Sequence, residues 1–305
     1  MAILYLYTIL LYRFQIRRFN DFRWVPERPR ITGVERYVLR GGRPGYERLQ
    51  LVAEVRRADT LELLRRAGLR PGMRCVDLGC GGGEVTFDLA RMTRPNGFVV
   101  GIDMDEVTLA LAREAARERG LANIAFRRAD VTGWAEPDAY DLVYSRFLVE
   151  HLSRPAELLR RMWQAVRAGG ALVVEDVDYD GVLSDPPDDN VDFARRMLSR
   201  VCDLNGGDAM LGRKLYGYFR RVGIPDPELR LVQDAAATGG VKPLFVSTFE
   251  AGADAIVRAG LATEPQVAAA VAGLTAFAAD PETVIGGPRI FQVWARKPAP
   301  EPGRP

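Results

Sequence analysis

VDLGCGGGEV, residues 76–85, decides how this chain is read. The short apolar run MRCVDLG (73–79) enters it, and EVTFDLARM (84–92) leaves it at helical spacing, so the glycines mark a strand-to-helix turn. Gly79, Gly81 and Gly83 carry no Cβ and let a ligand approach the backbone closely. Free N–H groups at the start of the next helix lie beside them. Nicotinamide, flavin and nucleotide binders all share such a turn. Two residues narrow the choice. The dinucleotide fingerprint GxGxxG needs glycine at 84, where Glu84 stands; an acid there repels a pyrophosphate on the helix dipole. Asp77 lies two residues before the first glycine, where a carboxylate suits a cationic amino group and not a phosphate.

Working outward, strands and helices alternate. FVVGIDM (98–104), NIAFRRAD (123–130), YDLVYSRF (140–147) and ALVVEDV (171–177) read as further strands. Helices are predicted over 105–120 and over 155–170, the latter with Pro at its start and Gly-Gly at its end. YERLQLVAEVRRADTLELLRRAG, from Tyr46, has helical spacing and follows the breaker cluster GGRPG (41–45). LRLVQDA (229–235) and IFQVWARK (290–297) supply the last two strands. The pattern is α/β, with a mostly parallel, Rossmann-like seven-stranded sheet covered by helices on both faces. Ligands then bind at the carboxyl ends of the strands. Helical stretches at 191–203 and 209–222 and an Ala-rich pair at 247–280 are expected to sit above the sheet as a lid. The expected organisation is an arm (1–45), a cofactor-binding core (46–181), and a lid or acceptor region carrying the last two strands (182–305).

Two more acids close strands on the same edge. Asp103 ends the second strand, 20 residues after Gly83, where a carboxylate accepts both ribose hydroxyls. Asp130 ends the third, in RADV, and suits the exocyclic amine of adenine. A ribose, an adenine and a cationic amino-acid tail without phosphates describe S-adenosylmethionine. Each acid also has a local reading: Asp77 or Asp103 as caps, Asp130 as a loop acid.

On these residues the sequence resembles the class I S-adenosylmethionine-dependent methyltransferases, by motif over 46–180. The resemblance implies that Gly79, Gly81 and Gly83 wrap the methionine part, with Asp77 supporting the turn and its amino group. It implies Asp103 on the ribose, Met104 against adenine, Asp130 on the adenine amine and Val131 packed beside it. DLVYSRFLVEHL (141–152) matches the segment after the fourth strand, which places Ser145 and Arg146 at the methionine end. The chain is similar to the small-molecule type with a helical lid, including enzymes acting on quinones and secondary metabolites. The expected function is methyl transfer to an O, N or C atom of a small, largely apolar acceptor. The alternative is a binding protein that keeps the cofactor and has lost turnover, serving as a regulator or partner.

His151, the sole histidine, is the candidate general base, set against a loop-fixing role. EDVDYDG (175–181) gathers Glu175, Asp176, Asp178 and Asp180 beside Tyr179. Its expected reading is one or two acids in the acceptor pocket and the rest solvated, with Asp176 and Tyr179 as pocket residues. Tyr46 is expected to close over the cofactor and to line the acceptor pocket with Asp176 and Tyr179. Phe193, Met197, Met210, Tyr216, Tyr218 and Phe219 offer an apolar pocket or, at helical spacing, core.

Composition sets the outer limits. The 305 residues carry 48% hydrophobic and 27% charged side chains and a net charge of +2, the profile of a globular protein without a basic stripe for nucleic acid. The small excess is local, since residues 1–50 hold ten Arg against four acids. Three cysteines without a CxxC pair and one histidine exclude a Cys/His zinc site, and no metal is expected. Few thiols favour a reducing, cytoplasmic compartment. AILYLYTILLY (2–12) gives only about 16 Å of helix, too short to span a bilayer core of about 30 Å. The expected partner is a small-molecule acceptor, with homodimerisation left open.

Overall fold

The computed structural model describes residues 42–299. The apolar run at 2–12 and all but the end of the expected arm lie outside them. The breaker cluster inside them opens a helix instead of preceding one: α1 runs Gly42–Arg66. Its proline falls in the first turn, where a missing N–H costs no intrahelical bond.

The chain continues with β1 (Arg74–Leu78), α2 (Glu84–Met92), β2 (Phe98–Asp103), α3 (Glu106–Glu118), β3 (Ile124–Arg128) and β4 (Tyr140–Arg146). Then come α4 (Pro155–Ala165), β5 (Val166–Asp178), β6 (Leu183–Asp185), α5 (Asp189–Leu204), α6 (Leu211–Arg221) and β7 (Glu228–Val232). The last elements are β8 (Ala235–Ala236), α7 (Val241–Arg258), α8 (Glu264–Ala279), β9 (Val284–Gly286) and β10 (Arg289–Arg296). The main sheet has seven strands in the order β3-β2-β1-β4-β5-β10-β7. Only β10 runs antiparallel to its neighbours. The order turns outward in both directions from β1 and β4, the place where a doubly wound sheet opens a crevice for ligand.

Two apolar layers hold the sheet. On one face Leu63, Leu64, Phe87, Leu89 and Ala112 from α1, α2 and α3 pack on Cys75, Tyr144, Val173 and Trp294. On the other, Leu158 and Met162 of α4 join Leu211, Leu215 and Phe219 of α6 against Val143, Val174 and Val293. This corrects the expected lid: residues 209–222 cover the sheet, and Phe219 is core. A third cluster, from α5, α7 and α8, makes up the remainder of the helical region expected as a lid. It carries a small sheet, β6-β9-β8, whose two- and three-residue strands are too short to leave a sequence pattern.

The expected helix over 155–170 stops at Ala165, and Gly169-Gly170 lies within β5. The β4–β5 register breaks there: Tyr140 faces Val166 while Leu142 faces Ala171, so 167–170 bulge outward. Gly169 takes φ 81, and a Cβ on Gly170 would stand 2.6 Å from the Asp141 carbonyl oxygen. Glycine here serves a bulge and not a helix stop. Among the described residues no helix is long and apolar enough to cross a membrane.

Candidate active site

The turn after β1 is fastened to the tip of β2. Gly79 and Cys80 both donate their N–H to the Ile102 carbonyl, at 2.8 and 3.0 Å. Gly79, Gly81 and Gly83 sit at φ 70, 48 and 82, the left-handed region that favours glycine. Gly81 N–H donates to Asp103 Oδ2 at 2.8 Å, and Asp105 N–H donates to Oδ1 at 3.0 Å. Asp103 therefore does not cap α3. Asp105 does, accepting from Val107 and Thr108 N–H.

Asp77 lies in β1 behind the turn, 2% exposed, and accepts from Thr86 Oγ1 at 2.7 Å. Burial pushes its pKa up to about 7, against the opposing effects of the Thr86 bond and the Arg146 charge. Asp130 stands two residues beyond β3, exposed, with Oδ1 accepting from Thr132 N–H at 2.8 Å and its hydroxyl at 2.7 Å. Val131 beside it is buried, and Met104 is 53% exposed at the tip of β2.

The tip of β4 closes the other side of the turn. Leu148 reaches Gly79: a Cβ there would lie 3.0 Å from Leu148 Cδ1. The Ser145 hydroxyl is buried without a hydrogen-bond partner. Arg146 Nη1 donates to Thr60 Oγ1 at 3.2 Å, and its guanidinium lies 5.6 Å from the Phe147 ring centre. From above, α1 covers the glycines. Cβ atoms on Gly81 and Gly82 would stand 2.8 Å from Leu49 Cδ1 and 3.0 Å from the Tyr46 ring. The structure thus brings Tyr46, Asp77, Asp103 and the post-β4 loop around one turn.

Glu84 departs from its expected role as a bare negative charge. Arg119 grips it with both terminal nitrogens, at 2.9 and 3.1 Å, and also lies 4.3 Å from the Phe87 ring centre. The pair weakens the repulsion argument, and the acids on the strand tips carry the discrimination instead.

The acidic run on β5 is redistributed. Glu175 is buried and accepts from Tyr144 OH (2.5 Å), Thr60 Oγ1 (2.9 Å) and Gln292 Nε2 (2.7 Å). Asp176 is fully buried, its oxygens taking the N–H groups of Val177 and Glu150 at 3.0 and 3.1 Å. Asp178 is fully buried too, gripped by Arg213 at 2.6 and 2.7 Å and by Arg289 at 3.3 Å. Only Asp180 is exposed. Of the acids expected to be solvated, Glu175 and Asp178 are thus inside the protein while Asp180 is exposed, and Asp176 braces the Val149–His151 turn from beneath instead of facing a pocket. Tyr179 is half-buried at the tip of β5.

His151 is mostly buried, 3.4 Å through Nε2 from Glu150 Oε1. Burial, and secondarily the charge of Arg48, push its pKa down to about 4. It is neutral at physiological pH and a weak base. Thr60, Arg119, Arg213 and Arg289 escaped sequence reading because each works through a partner far along the chain; Thr86, nine residues from Asp77, escaped it as well.

A doubly wound sheet with a glycine turn at β1 and a carboxylate on the tip of β2 defines a Rossmann-like, nucleoside-cofactor protein. Residues 69–221 match the family model described as a methyltransferase domain. The chain belongs to that family, the class I S-adenosylmethionine-dependent methyltransferases, whose cofactor is S-adenosylmethionine. It is 36% identical over 107 residues to the ubiquinone biosynthesis O-methyltransferase of Acinetobacter baumannii, covering 34% of this chain and 44% of that one. It is 26% identical over 195 residues to the ubiquinone/menaquinone biosynthesis C-methyltransferase of Yersinia pestis, covering 63% and 75%. The match spans 41% and 44% of the length of the first two curated relatives. A solved structure from Bacillus halodurans, described as a candidate methyltransferase, shares the fold at TM-score 0.55 and 17% identity, over 79% of this chain and 100% of that one.

Proposed function

We propose that the protein transfers a methyl group from S-adenosylmethionine to an O, N or C atom of a small, largely apolar acceptor. The observation that carries this is the Gly79–Gly83 turn, hydrogen-bonded through Gly81 to Asp103, in a chain of the methyltransferase family.

The residues fit the cofactor. An ionised carboxylate offers about four acceptor sites, and Asp103 spends two on Gly81 and Asp105. The remainder suits a pair of ribose hydroxyls. The orphaned Ser145 hydroxyl and Arg146, which has no carboxylate partner among the described residues, suit the methionine carboxylate. Gly79, Gly81 and Gly83 would wrap the methionine chain, and Asp77 would face its ammonium group through the turn. Met104, exposed until covered, and buried Val131 would flank adenine, with Asp130 accepting from its amine.

When bound, the cofactor supplies a methyl on a sulfonium, an activated electrophile. The protein's task is then to orient an in-line attack and to exclude water. Tyr46 and Leu49 close the turn from above, while Phe147 and Tyr179 bound the acceptor side. His151, neutral and buried, holds the loop after β4 and moves no proton.

Calorimetry with S-adenosylhomocysteine, with NADH as control, tests the reading. Micromolar binding of the first alone is expected. Binding of NADH in its place overturns the assignment.

A further inference from the structure

Arg48, Val52, Arg56 and Thr60 recur at four-residue steps and share one face of α1. Thr60 fixes where that face looks, since its hydroxyl donates to Glu175 on β5 and accepts from Arg146 on β4. The face therefore overhangs the carboxyl ends of the central strands. It carries two cations with different fates. Arg56 is buried and paired with Asp234 at 2.7 Å. Arg48 has no ion pair among the described residues, and its buried Nε has no hydrogen-bond partner. Its charge reaches Glu150 and His151, which places it at the far end of the post-β4 loop, beyond Arg146.

No acid among the described residues forms an ion pair with Arg48. Burial, reinforced by Asp176, pushes the Glu150 pKa well up and so favours its neutral form. Asp176 has its oxygens on backbone N–H groups. Asp208 is held by Lys214 Nζ at 2.5 Å. A half-buried guanidinium with an unused N–H and no ion pair among the described residues is a fork suited to an oxyanion. The cofactor has one carboxylate, already matched by Ser145 and Arg146. On the same post-β4 loop, Phe147 packs with Tyr179 on Val177, Val232 and Ile290, an aromatic wall for an apolar body.

We propose that the acceptor bears an acidic oxyanion, a carboxylate or a phosphate monoester, on an aromatic or aliphatic body, and that Arg48 binds it. This rests on the cofactor reading above, and the test separates the two. The protein saturated with S-adenosylhomocysteine is titrated with benzoate, phenyl phosphate and the uncharged benzamide. One of the anions should bind about tenfold more tightly than benzamide, the scale of a charge-assisted hydrogen bond. Which anion wins identifies the group. In Arg48→Gln the preference should fall below about threefold, with an unchanged melting temperature and unchanged S-adenosylhomocysteine affinity; Arg48→Lys should retain part of it. Equal binding of anion and amide, no binding of either, or a preference that survives Arg48→Gln overturns the proposal. Failure of S-adenosylhomocysteine to bind the wild-type protein overturns the cofactor reading instead.

Discussion

Asp77, Asp103 and Asp130 on the proposed cofactor side and Glu175, Asp176 and Asp178 on the proposed acceptor side look alike in sequence: acids at or near the ends of apolar strands. Their surroundings differ. The cofactor-side acids bond to residues within about two dozen positions, namely Thr86, Gly81, Asp105 and Thr132, and Asp103 keeps acceptor sites to spare. Two of those on β5 are spent on side chains brought from afar, Arg213 and Arg289 on Asp178 and Thr60 and Gln292 on Glu175, while Asp176 takes the backbone N–H groups of Val177 and Glu150. What separates Asp103 from the β5 acids is spare acceptor capacity on a partly exposed strand tip, against burial with every visible partner inside the protein.

The lid extends this contrast and offers the largest expected effect. Lys242 is 1% exposed on α7 and donates to the carbonyls of Ala237, Asp280 and Thr283 at 2.8, 2.6 and 2.9 Å, and to the Thr283 hydroxyl at 2.8 Å. Lys242→Met strips these buried acceptors of their donor and should cost about 2–4 kcal/mol. If the lid is the separate structural half that its own apolar cluster implies, hydrogen exchange should quicken in α7, α8 and β9 and stay slow in β1 and β2. Uniform quickening would break the comparison and make the two halves one cooperative unit.

The division also explains what the sequence made legible. The seven core strands and α2 follow local periodicity, and the glycine turn with Asp103 follows spacing within one βαβ unit. Four features were misread for a shared reason. Gly169-Gly170 looks like a helix stop, but the β4 partner imposes a bulge. Residues 209–222 look like lid, yet Leu215 and Phe219 fill space under β5 and β10. The acidic run looks solvated until Arg213 and Arg289 arrive. Glu84 looks unpaired until Arg119 folds back from the end of α3. Each outcome is set by a residue brought into place by the sheet order, which periodicity does not encode.

The next effect is smaller and confined to the cofactor half. Asp103→Ala removes an acceptor from the proposed ribose position and should weaken S-adenosylhomocysteine binding by about 1–3 kcal/mol in calorimetry. It also frees the Gly81 and Asp105 N–H groups, so a modest fall in melting temperature is expected with it. Unchanged affinity would show that Asp103 is a structural acid like those on β5, and the contrast between the halves would fail at its center.

Asp77 sharpens the contrast with the smallest effect, because it is the one cofactor-side acid that is fully buried. Its pKa rises from 3.8 to about 7 on folding, chiefly through burial. Between those values the folded state keeps a proton that the unfolded state has lost, so the contribution of Asp77 is whole below about pH 4 and is lost as pH rises to about 7. Asp176, also raised to about 7 by burial, adds a slope of the same sign from the acceptor half. Asp77→Asn preserves an oxygen for the Thr86 hydroxyl and abolishes the titration. Its melting temperature should exceed that of the wild type at pH 8 and match it near pH 4, with the remaining acid-to-neutral slope left to Asp176, Glu150 and Asp234. The same substitution removes the negative charge behind the glycine turn, so S-adenosylhomocysteine should bind more weakly as the protein becomes more stable. A variant that gains stability without losing affinity would move Asp77 out of the site and leave the turn held by Asp103 alone.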